Sequence, residues 1–181
     1  MGSEMCIRDR AEEGWGIIFK SMPLKSVSEL PNEPAVYAMY GGRGRDKDVA
    51  YVGIAGKLKQ RIQQHLVRRD SSVTTGVSAV SLNPEHVTKV SWWEHQSFSD
   101  DVSLNAAELI AFEELNPDLR SRGNINTAAS ELSAKPSFRD QMKALFQSEP
   151  TGTLVIPTLK DALQRIEELE ERLASLEKKI G

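Results

Sequence analysis

Two tyrosine-bearing segments and the run of cations that follows them are the residues of this chain whose types and spacing could support chemistry. Tyr37 and Tyr51 lie in short apolar segments with the period of two that is typical of β-strands. Beyond Gly56 the apolar residues recur at helical spacing, and cations form a second stripe beside them. A rigid basic stripe can contact phosphates even in a chain whose net charge is −3. The stripe consists of Lys57, Arg61, His65 and Arg68, and the basic cluster without an intervening acid consists of Lys57, Lys59, Arg61, Arg68 and Arg69.

Each of these features also has a purely structural interpretation. A tyrosine on a strand usually packs in the core with its hydroxyl satisfied, and a run of cations on a helix is usually a solvated face. The order of the segments favours function, because the cations come directly after the two tyrosine segments. Residues 41–48 are rich in glycine and charge, which is the composition of a turn between two strands.

The same stretch, residues 35–69, resembles the GIY-YIG nuclease superfamily. Ala35-Val36-Tyr37 lies where the family has its first motif, and Tyr51-Val52-Gly53 lies where it has its second. Alanine replaces the family glycine and valine replaces isoleucine, and each replacement keeps a small or β-branched residue in a strand. The family arginine matches Arg61, and His65 matches a histidine of the homing-endonuclease branch.

A glutamate motif extends the resemblance downstream, so that it covers residues 34–126. Glu108 begins the segment ELIAFEELNP, which resembles the helix that carries the family's metal-binding glutamate and which ends here at Pro117. Glu113 and Glu114 compete with Glu108 for this role, but we expect them to face solvent near the helix end. Glu108 lies among apolar neighbours, so we expect it to point inward or along the margin of the buried face.

The resemblance implies a Mg²⁺- or Mn²⁺-dependent hydrolysis of DNA phosphodiester bonds, with the basic helix bound to the DNA. Glu108 would ligate the metal, and Arg61 would grip the scissile phosphate with its planar fork. Tyr37 and Tyr51 would hold and deprotonate the attacking water, and the analogy slightly favours Tyr37 as the base. A phenol, with a pKa near 10, can act in this way only beside a cation. His65 would relay a proton or contact the phosphate.

The family asparagine is the least clear of the motifs. The candidates are Asn124 and Asn126, of which we favour Asn126. With it, the implied catalytic set is Tyr37, Tyr51, Arg61, His65, Glu108 and Asn126. A second function is open as well, since a protein can keep this fold, lose turnover and serve as a DNA-binding or scaffold protein. The completeness of the catalytic set favours the enzyme.

We expect these residues to be positioned by the helices and strands of a small α/β protein of the α+β type. We expect a three-stranded antiparallel sheet flanked by helices, with the third strand in residues 86–95. Trp92 and Trp93 in that strand could stack on bases, but adjacent tryptophans on a strand favour one ring in the core and the other over a surface groove. Helices are expected at residues 104–115, begun by a cap at Ser103 or Asn105, and at residues 137–146.

The last helix is expected to stand apart from this domain. We divide the chain into a leader of foreign character (residues 1–14), the nuclease domain (residues 15–150), and a linker and coiled-coil helix (residues 151–181). Apolar residues recur there at alternating spacings of three and four. The flanking charges would pair in a parallel homodimer through residues 159–180 and would repel in an antiparallel one. The alternative is a single helix folded back onto its own domain.

Composition excludes several other classes of protein. With 39% hydrophobic residues among 181, the chain has enough apolar residues for a packed core. Its one cysteine, Cys6, excludes an internal disulfide framework and a cysteine-rich zinc site. No run approaches the ~20 apolar residues that span a bilayer. We therefore expect no membrane partner and a cytoplasmic location.

Overall fold

A four-stranded antiparallel sheet forms the centre of the fold, in the order β2-β1-β3-β4. The computed structural model describes residues 26–41, 48–70, 82–119, 126–157 and 159–180. The expected leader and Asn124 lie outside these residues. The strands are β1 (Ala35–Gly41), β2 (Val49–Ala55), β3 (Val87–Trp93) and β4 (Gly152–Val155). The α+β class is confirmed, but the expectation of three strands is wrong.

The fourth strand consists of residues that the sequence assigned to the linker. β4 pairs with β3, and its Gly152 lies opposite Trp92. A Cβ atom at Gly152 would lie 2.1 Å from the Trp92 ring, so only glycine allows the two strands to meet here. Leu154 is buried in the core on the same strand. Four residues that begin with a glycine carry too little alternation to be recognised as a strand from sequence.

In the part of the chain that the structure describes, five α-helices accompany the sheet. They are α1 (Leu58–Gln63), α2 (Asp101–Leu115), α3 (Thr127–Ala134), α4 (Pro136–Gln147) and α5 (Leu159–Ile180). The expected helices at 104–115 and 137–146 are thus present as α2 and α4. Asp100, rather than Ser103 or Asn105, caps α2, because its carboxylate accepts the backbone N–H groups of Val102 and Ser103.

Both faces of the sheet are buried. Alternate residues of β1 point into two separate apolar clusters, one under α1 and the other under α2 and α4. Trp92 and Trp93 are consecutive, so they enter opposite clusters, and each is at most 4% exposed. The expectation that one tryptophan covers a surface groove is therefore wrong, and neither ring is available to stack on a base.

Ion pairs join α2 to α4 at the outer side of the second cluster. Glu113 pairs with Arg139, and Glu114 pairs with Lys143 at 3.0 Å. Gln147 also donates a hydrogen bond to Glu114 at 3.0 Å. These two glutamates therefore hold the helices together rather than simply facing solvent, and they are occupied with structural partners.

Nothing among the described residues covers the apolar side chains of α5. Every residue of α5 whose side chain is described is exposed, including Leu159, Ile166 and Leu173. The alternative in which this helix folds back onto its own domain is therefore wrong. Among the described residues, no helix combines the length and the apolar character that crossing a bilayer requires.

If β4 is part of the domain, Gly152→Ala should destabilise it. The added methyl group would collide with the Trp92 ring, and overpacking of this kind costs about 1–3 kcal/mol of unfolding free energy. Val155→Ala in the same strand is the matched control, because Val155 is 44% exposed and its truncation should cost less than about 1 kcal/mol. Urea unfolding of both variants measures the difference. If Gly152→Ala is as stable as the wild type, residues 152–155 belong to the linker rather than to the sheet.

Candidate active site

Three aromatic side chains from three elements form one buried cluster. Tyr37 extends from β1, Tyr51 from β2, and His65 from the helical turn after α1. The ring centroids lie 6.1 Å apart for the two tyrosines, 5.8 Å for Tyr37 and His65, and 5.6 Å for Tyr51 and His65. The Tyr37 hydroxyl and His65 Nε2 share a hydrogen bond of 2.7 Å. The sequence-predicted tyrosines and histidine thus meet in space.

A change of helical geometry places His65 in this cluster. The α-helix α1 passes at Gln64 into a π-helical turn that runs to Arg68, and the backbone then reverses at Arg69, whose φ is 58°. A π-turn adds one residue per turn and is frequent at functional sites. His65 is fully buried within it, facing the sheet. The sequence predicted a continuous α-helix here, because its apolar spacing does not reveal the extra residue.

Gly53 is a site residue whose role sequence analysis missed. It lies directly opposite Tyr37 in the β1–β2 ladder. A Cβ atom at Gly53 would lie 2.7 Å from the Tyr37 hydroxyl oxygen and 2.9 Å from the Tyr51 ring. The absence of a side chain therefore makes room for both phenols. The small residue at the end of the Tyr51-Val52-Gly53 motif was the available signal.

Arg61 adds a positive charge beside the two phenols. It is half-buried on α1, and its guanidinium donates a hydrogen bond of 3.2 Å to the Gln64 side-chain oxygen. Burial lowers the pKa of Arg61, but the neighbouring oxygens of Tyr37 and Tyr51 outweigh this effect and leave it raised. Arg61 therefore stays cationic and lowers the free energy of a negative charge on either phenol.

Burial separates the two tyrosines. Tyr37 is 0% exposed and Tyr51 is 6% exposed, because β1 is an inner strand and β2 is an edge strand. Burial raises the pKa of Tyr37 well above its ordinary value, and the nearby Tyr51 raises it further, against an opposing effect of Arg61. Burial also raises the pKa of Tyr51, although Arg61 and a hydrogen bond with Tyr37 oppose this rise.

Glu108 is the acidic residue whose charge acts on Tyr51. It lies half-buried on α2, which packs against β2. After burial, the carboxylate of Glu108 is the largest influence that raises the pKa of Tyr51. This coupling places the glutamate charge near Tyr51, the more exposed phenol. Four of the six sequence-predicted catalytic residues therefore form the cluster, and Glu108 lies beside them.

His65 is uncharged in this environment. Burial lowers the pKa of His65 to about 3, and the charge of Arg61 contributes in the same direction. A neutral imidazole has one donor and one acceptor nitrogen, so His65 can either accept from or donate to the Tyr37 hydroxyl. His65 can therefore fix the orientation of the Tyr37 hydroxyl by a hydrogen bond without adding a charge to the site.

The other sequence-predicted residues are only partly available for catalysis or DNA binding. Asn126 is exposed and caps α3, since its side-chain oxygen accepts the Ala128 backbone N–H at 2.9 Å. Lys59 donates to the Ser28 carbonyl oxygen at 2.7 Å, and Arg69 pairs with Glu85 at 3.2 Å. Lys57 and Arg68 are exposed. With Arg61, which donates to Gln64, three of the predicted DNA-binding cations therefore have partners within the fold.

The donor set near Tyr51 fits a hydrated Mg²⁺ ion rather than a metal enclosed by protein. Within the described residues, no three or more histidine, cysteine, aspartate or glutamate side chains are grouped so that they could hold a metal. Mg²⁺ commonly binds through one or two carboxylates, keeps several waters and completes its shell with substrate phosphate oxygens. The carboxylate of Glu108 can supply such an anchor.

Comparison with known proteins adds no relative to this picture. No family model, curated protein or solved structure matches the chain. The geometry of the cluster is therefore the basis for the functional argument below.

The neutral, buried His65 predicts a specific dependence of stability on pH. In the unfolded chain the imidazole titrates near 6.5, whereas its folded pKa is about 3, so the unfolded state binds an extra proton between these values. The unfolding free energy should fall with decreasing pH below about 6.5, by at most ~1.4 kcal/mol per pH unit from this group. Urea unfolding between about pH 7.5 and about pH 4.5 measures the slope.

Two histidine variants isolate this contribution. His65→Gln should show a shallower slope than the wild type, because it removes the titrating group. His86→Gln removes an exposed histidine and is the control for the loss of an imidazole. Parallel slopes for the wild type and His65→Gln would show that His65 is not held neutral by burial.

Proposed function

We propose that the protein is a cytoplasmic, metal-dependent endonuclease that hydrolyses DNA phosphodiester bonds. One observation carries this proposal: residues from β1, from β2 with the helical segment after it, and from α2 lie near one another in an arrangement suited to phosphate chemistry. Two phenols, a neutral imidazole, a guanidinium and a carboxylate combine a phosphate-binding cation with groups that can hold a proton. These residues are Tyr37, Tyr51, His65, Arg61 and Glu108.

Arg61 is the residue that would bind the scissile phosphate. Its guanidinium remains charged, is oriented by Gln64, and lies beside an open cleft at the end of β2. A planar fork of N–H donors can contact two phosphate oxygens at once. The same charge would stabilise the additional negative charge of the transition state.

Tyr51, rather than Tyr37, would contact the attacking water. Tyr37 is completely buried, and its hydroxyl is hydrogen-bonded to His65. Tyr51 retains exposure and lies near Glu108. Burial and the charge of Glu108 raise the pKa of Tyr51, whereas Arg61 and the hydrogen bond with Tyr37 oppose this rise and favour the ionised form, which can accept a proton from water. This assignment replaces the slight preference for Tyr37 that the family analogy suggested.

Tyr37 and His65 would act on the reaction only through Tyr51. In one arrangement, His65 Nε2–H donates to the Tyr37 oxygen while the Tyr37 hydroxyl donates toward Tyr51. Such a chain of donors stabilises negative charge at its end. Both groups are fully buried, so their role is to position and polarise Tyr51 rather than to touch DNA.

Glu108 would hold the divalent metal, Mg²⁺ or Mn²⁺. Bound there, the metal would supply charge stabilisation for the leaving 3′ oxygen and would lower the pKa of nearby water. Glu108 therefore contributes a carboxylate anchor for the metal close to Tyr51.

Substitutions should distinguish residues that contact the DNA, the attacking water or the metal from residues that act through Tyr51. Glu108→Gln, Arg61→Ala and Tyr51→Phe should each lower the single-turnover rate of nicking supercoiled plasmid with Mg²⁺ by about 10²–10⁴-fold. Tyr37→Phe should cost less, because Tyr37 acts through Tyr51. Tyr40→Phe is the matched control, since Tyr40 belongs to the same strand but borders the opposite cluster.

The outcomes of this assay distinguish the two candidate functions. Wild-type cutting that persists in Tyr51→Phe would contradict the assignment of Tyr51. A folded wild type that binds DNA but does not cut it would instead support the DNA-binding or scaffold protein. Binding is measured separately by fluorescence anisotropy in the presence of a chelator.

We further propose that α5 forms a parallel homodimer. Its exposed apolar residues form a stripe with heptad spacing, which nothing among the described residues covers. In a parallel pair, Arg165 faces Glu170 of the second copy and Arg172 faces Glu177. In an antiparallel pair, Arg172 would face Arg172 and Glu170 would face Glu170. Two nuclease sites could then address the two strands of a duplex.

Charge reversal tests the orientation of the dimer. Arg165→Glu with Arg172→Glu should weaken association, and adding Glu170→Arg with Glu177→Arg should restore it, because the interhelical pairs are then reversed in sign. Sedimentation equilibrium measures the association of each variant. Deletion of residues 158–181 should give a monomer, and a deletion variant with the mass of a dimer would eliminate the coiled coil as the interface.

A further inference from the structure

A cleft of about 310 Å³ opens at the end of β2, beside the proposed active site. Its volume lies at the lower end of the range of about 300–1,000 Å³ for small-ligand sites, which suits one nucleotide unit. Arg61 belongs to both the cleft and the tyrosine cluster, so a phosphate held by this residue would lie at the junction of the two. The cleft is lined by Ile54, Ala55, Gly56, Lys57, Gln60, Arg61 and Gln64.

The residues that line this cleft offer positive charge, an apolar surface and carboxamide groups, which together can contact a nucleotide. Lys57 and Arg61 supply positive charge for phosphate oxygens, and Ile54 and Ala55 supply an apolar surface for a sugar or a base. Gln60 and Gln64 supply carboxamides on successive turns of the helix. The oxygen of Gln64 is engaged by Arg61, whereas the exposed Gln60 has no partner among the described residues. Gln60 is therefore the carboxamide that is available to a ligand.

Gly56 keeps one wall of the cleft open. A Cβ atom at this position would meet no atom within 4 Å, so a side chain can be added here without a collision. The backbone conformation also accepts an L-residue, because Gly56 is not among the glycines with positive φ. A large side chain at Gly56 would therefore occupy the cleft without straining the fold.

The larger cleft on the same end of the sheet does not have this character. It has a volume of about 410 Å³ and is bordered by Glu33 and Glu94, which would repel a phosphate. His95 in its wall is already hydrogen-bonded through both ring nitrogens, to the Ser97 backbone N–H and to the Gln141 side chain. Of these two clefts, the smaller therefore has the charge that matches nucleic acid.

We propose that the cleft at Gly56 binds the nucleotide that adjoins the scissile phosphate, and that Gln60 contacts the edge of its base. This inference rests on the proposed nuclease function and adds a subsite to it. Lys57 contacts the backbone phosphate that follows the one held by Arg61. The carboxamide of Gln60 pairs best with adenine, because a donor and an acceptor together match the N6 and N7 atoms. The cleft therefore gives the enzyme a preference for adenine beside the cut.

Filling the cleft tests whether the DNA enters it. Gly56→Phe should raise the Kd for a labelled DNA duplex, measured by anisotropy with a chelator present, by about tenfold or more. Gly56→Ala adds only a methyl group and should have a smaller effect than Gly56→Phe. Val155→Phe places the same ring on the exposed face of β4, at the opposite edge of the sheet, and should leave the Kd unchanged. Thermal unfolding of each variant confirms that it is folded.

The results distinguish failure of the subsite from failure of the nuclease. If the wild type neither binds nor nicks DNA, the proposed function is wrong. If the wild type nicks plasmid and folded Gly56→Phe binds and nicks equally well, the nuclease stands and the subsite is overturned.

Sequencing of the cut ends tests the role of Gln60. Wild-type cleavage of a randomised duplex library should enrich adenine at one position next to the cut. Gln60→Ala should reduce this enrichment to the background frequency among the ends that it produces. An unchanged enrichment in Gln60→Ala, or no adenine preference in the wild type, would overturn the contact with the base.

Discussion

The hydrogen bond between Tyr37 and His65 connects the sheet to the helical segment that follows β2. Both groups are fully buried, and the bond measures 2.7 Å across a separation of 28 residues. A buried hydroxyl or imidazole without a partner would cost about 1–3 kcal/mol, so this contact is strongly selected in the folded state. It requires a glycine opposite Tyr37 and a π-turn that aims His65 inward. Arg61, one turn earlier, is thereby placed over the two phenols.

Differences in burial then give different roles to the two tyrosines, which the sequence alone does not distinguish. Tyr37 lies on an inner strand and Tyr51 on the edge strand, so only Tyr51 has access to solvent and to Glu108. The charge of Arg61 opposes the rise that burial causes in the pKa of Tyr51, and it also disfavours protonation of His65. One guanidinium therefore favours an anionic phenol and a neutral imidazole in the same site.

Local patterns predicted most of the domain, and contacts between distant residues determined the rest. Alternation and helical spacing located β1, β2, β3, α2 and α4. The strand β4 was missed because its pairing depends on the close approach of Gly152 to Trp92, some 60 residues earlier in the chain. The cluster residues were identified by type and order, but their unequal burial follows from strand order, which the sequence does not display. The cap at Asn126 likewise depends on α3, whose apolar stripe is too weak to recognise.

Cleavage of DNA in water enriched in oxygen-18 tests the central claim most directly, because it shows which atom attacks the phosphorus. If the tyrosines act on water, Mg²⁺-dependent cutting should give free DNA ends whose phosphate carries one oxygen-18 atom by mass spectrometry. No DNA should remain attached to the protein. DNA joined covalently to a tyrosine, or ends without the label, would contradict a hydrolytic site built from Tyr51, Arg61 and Glu108.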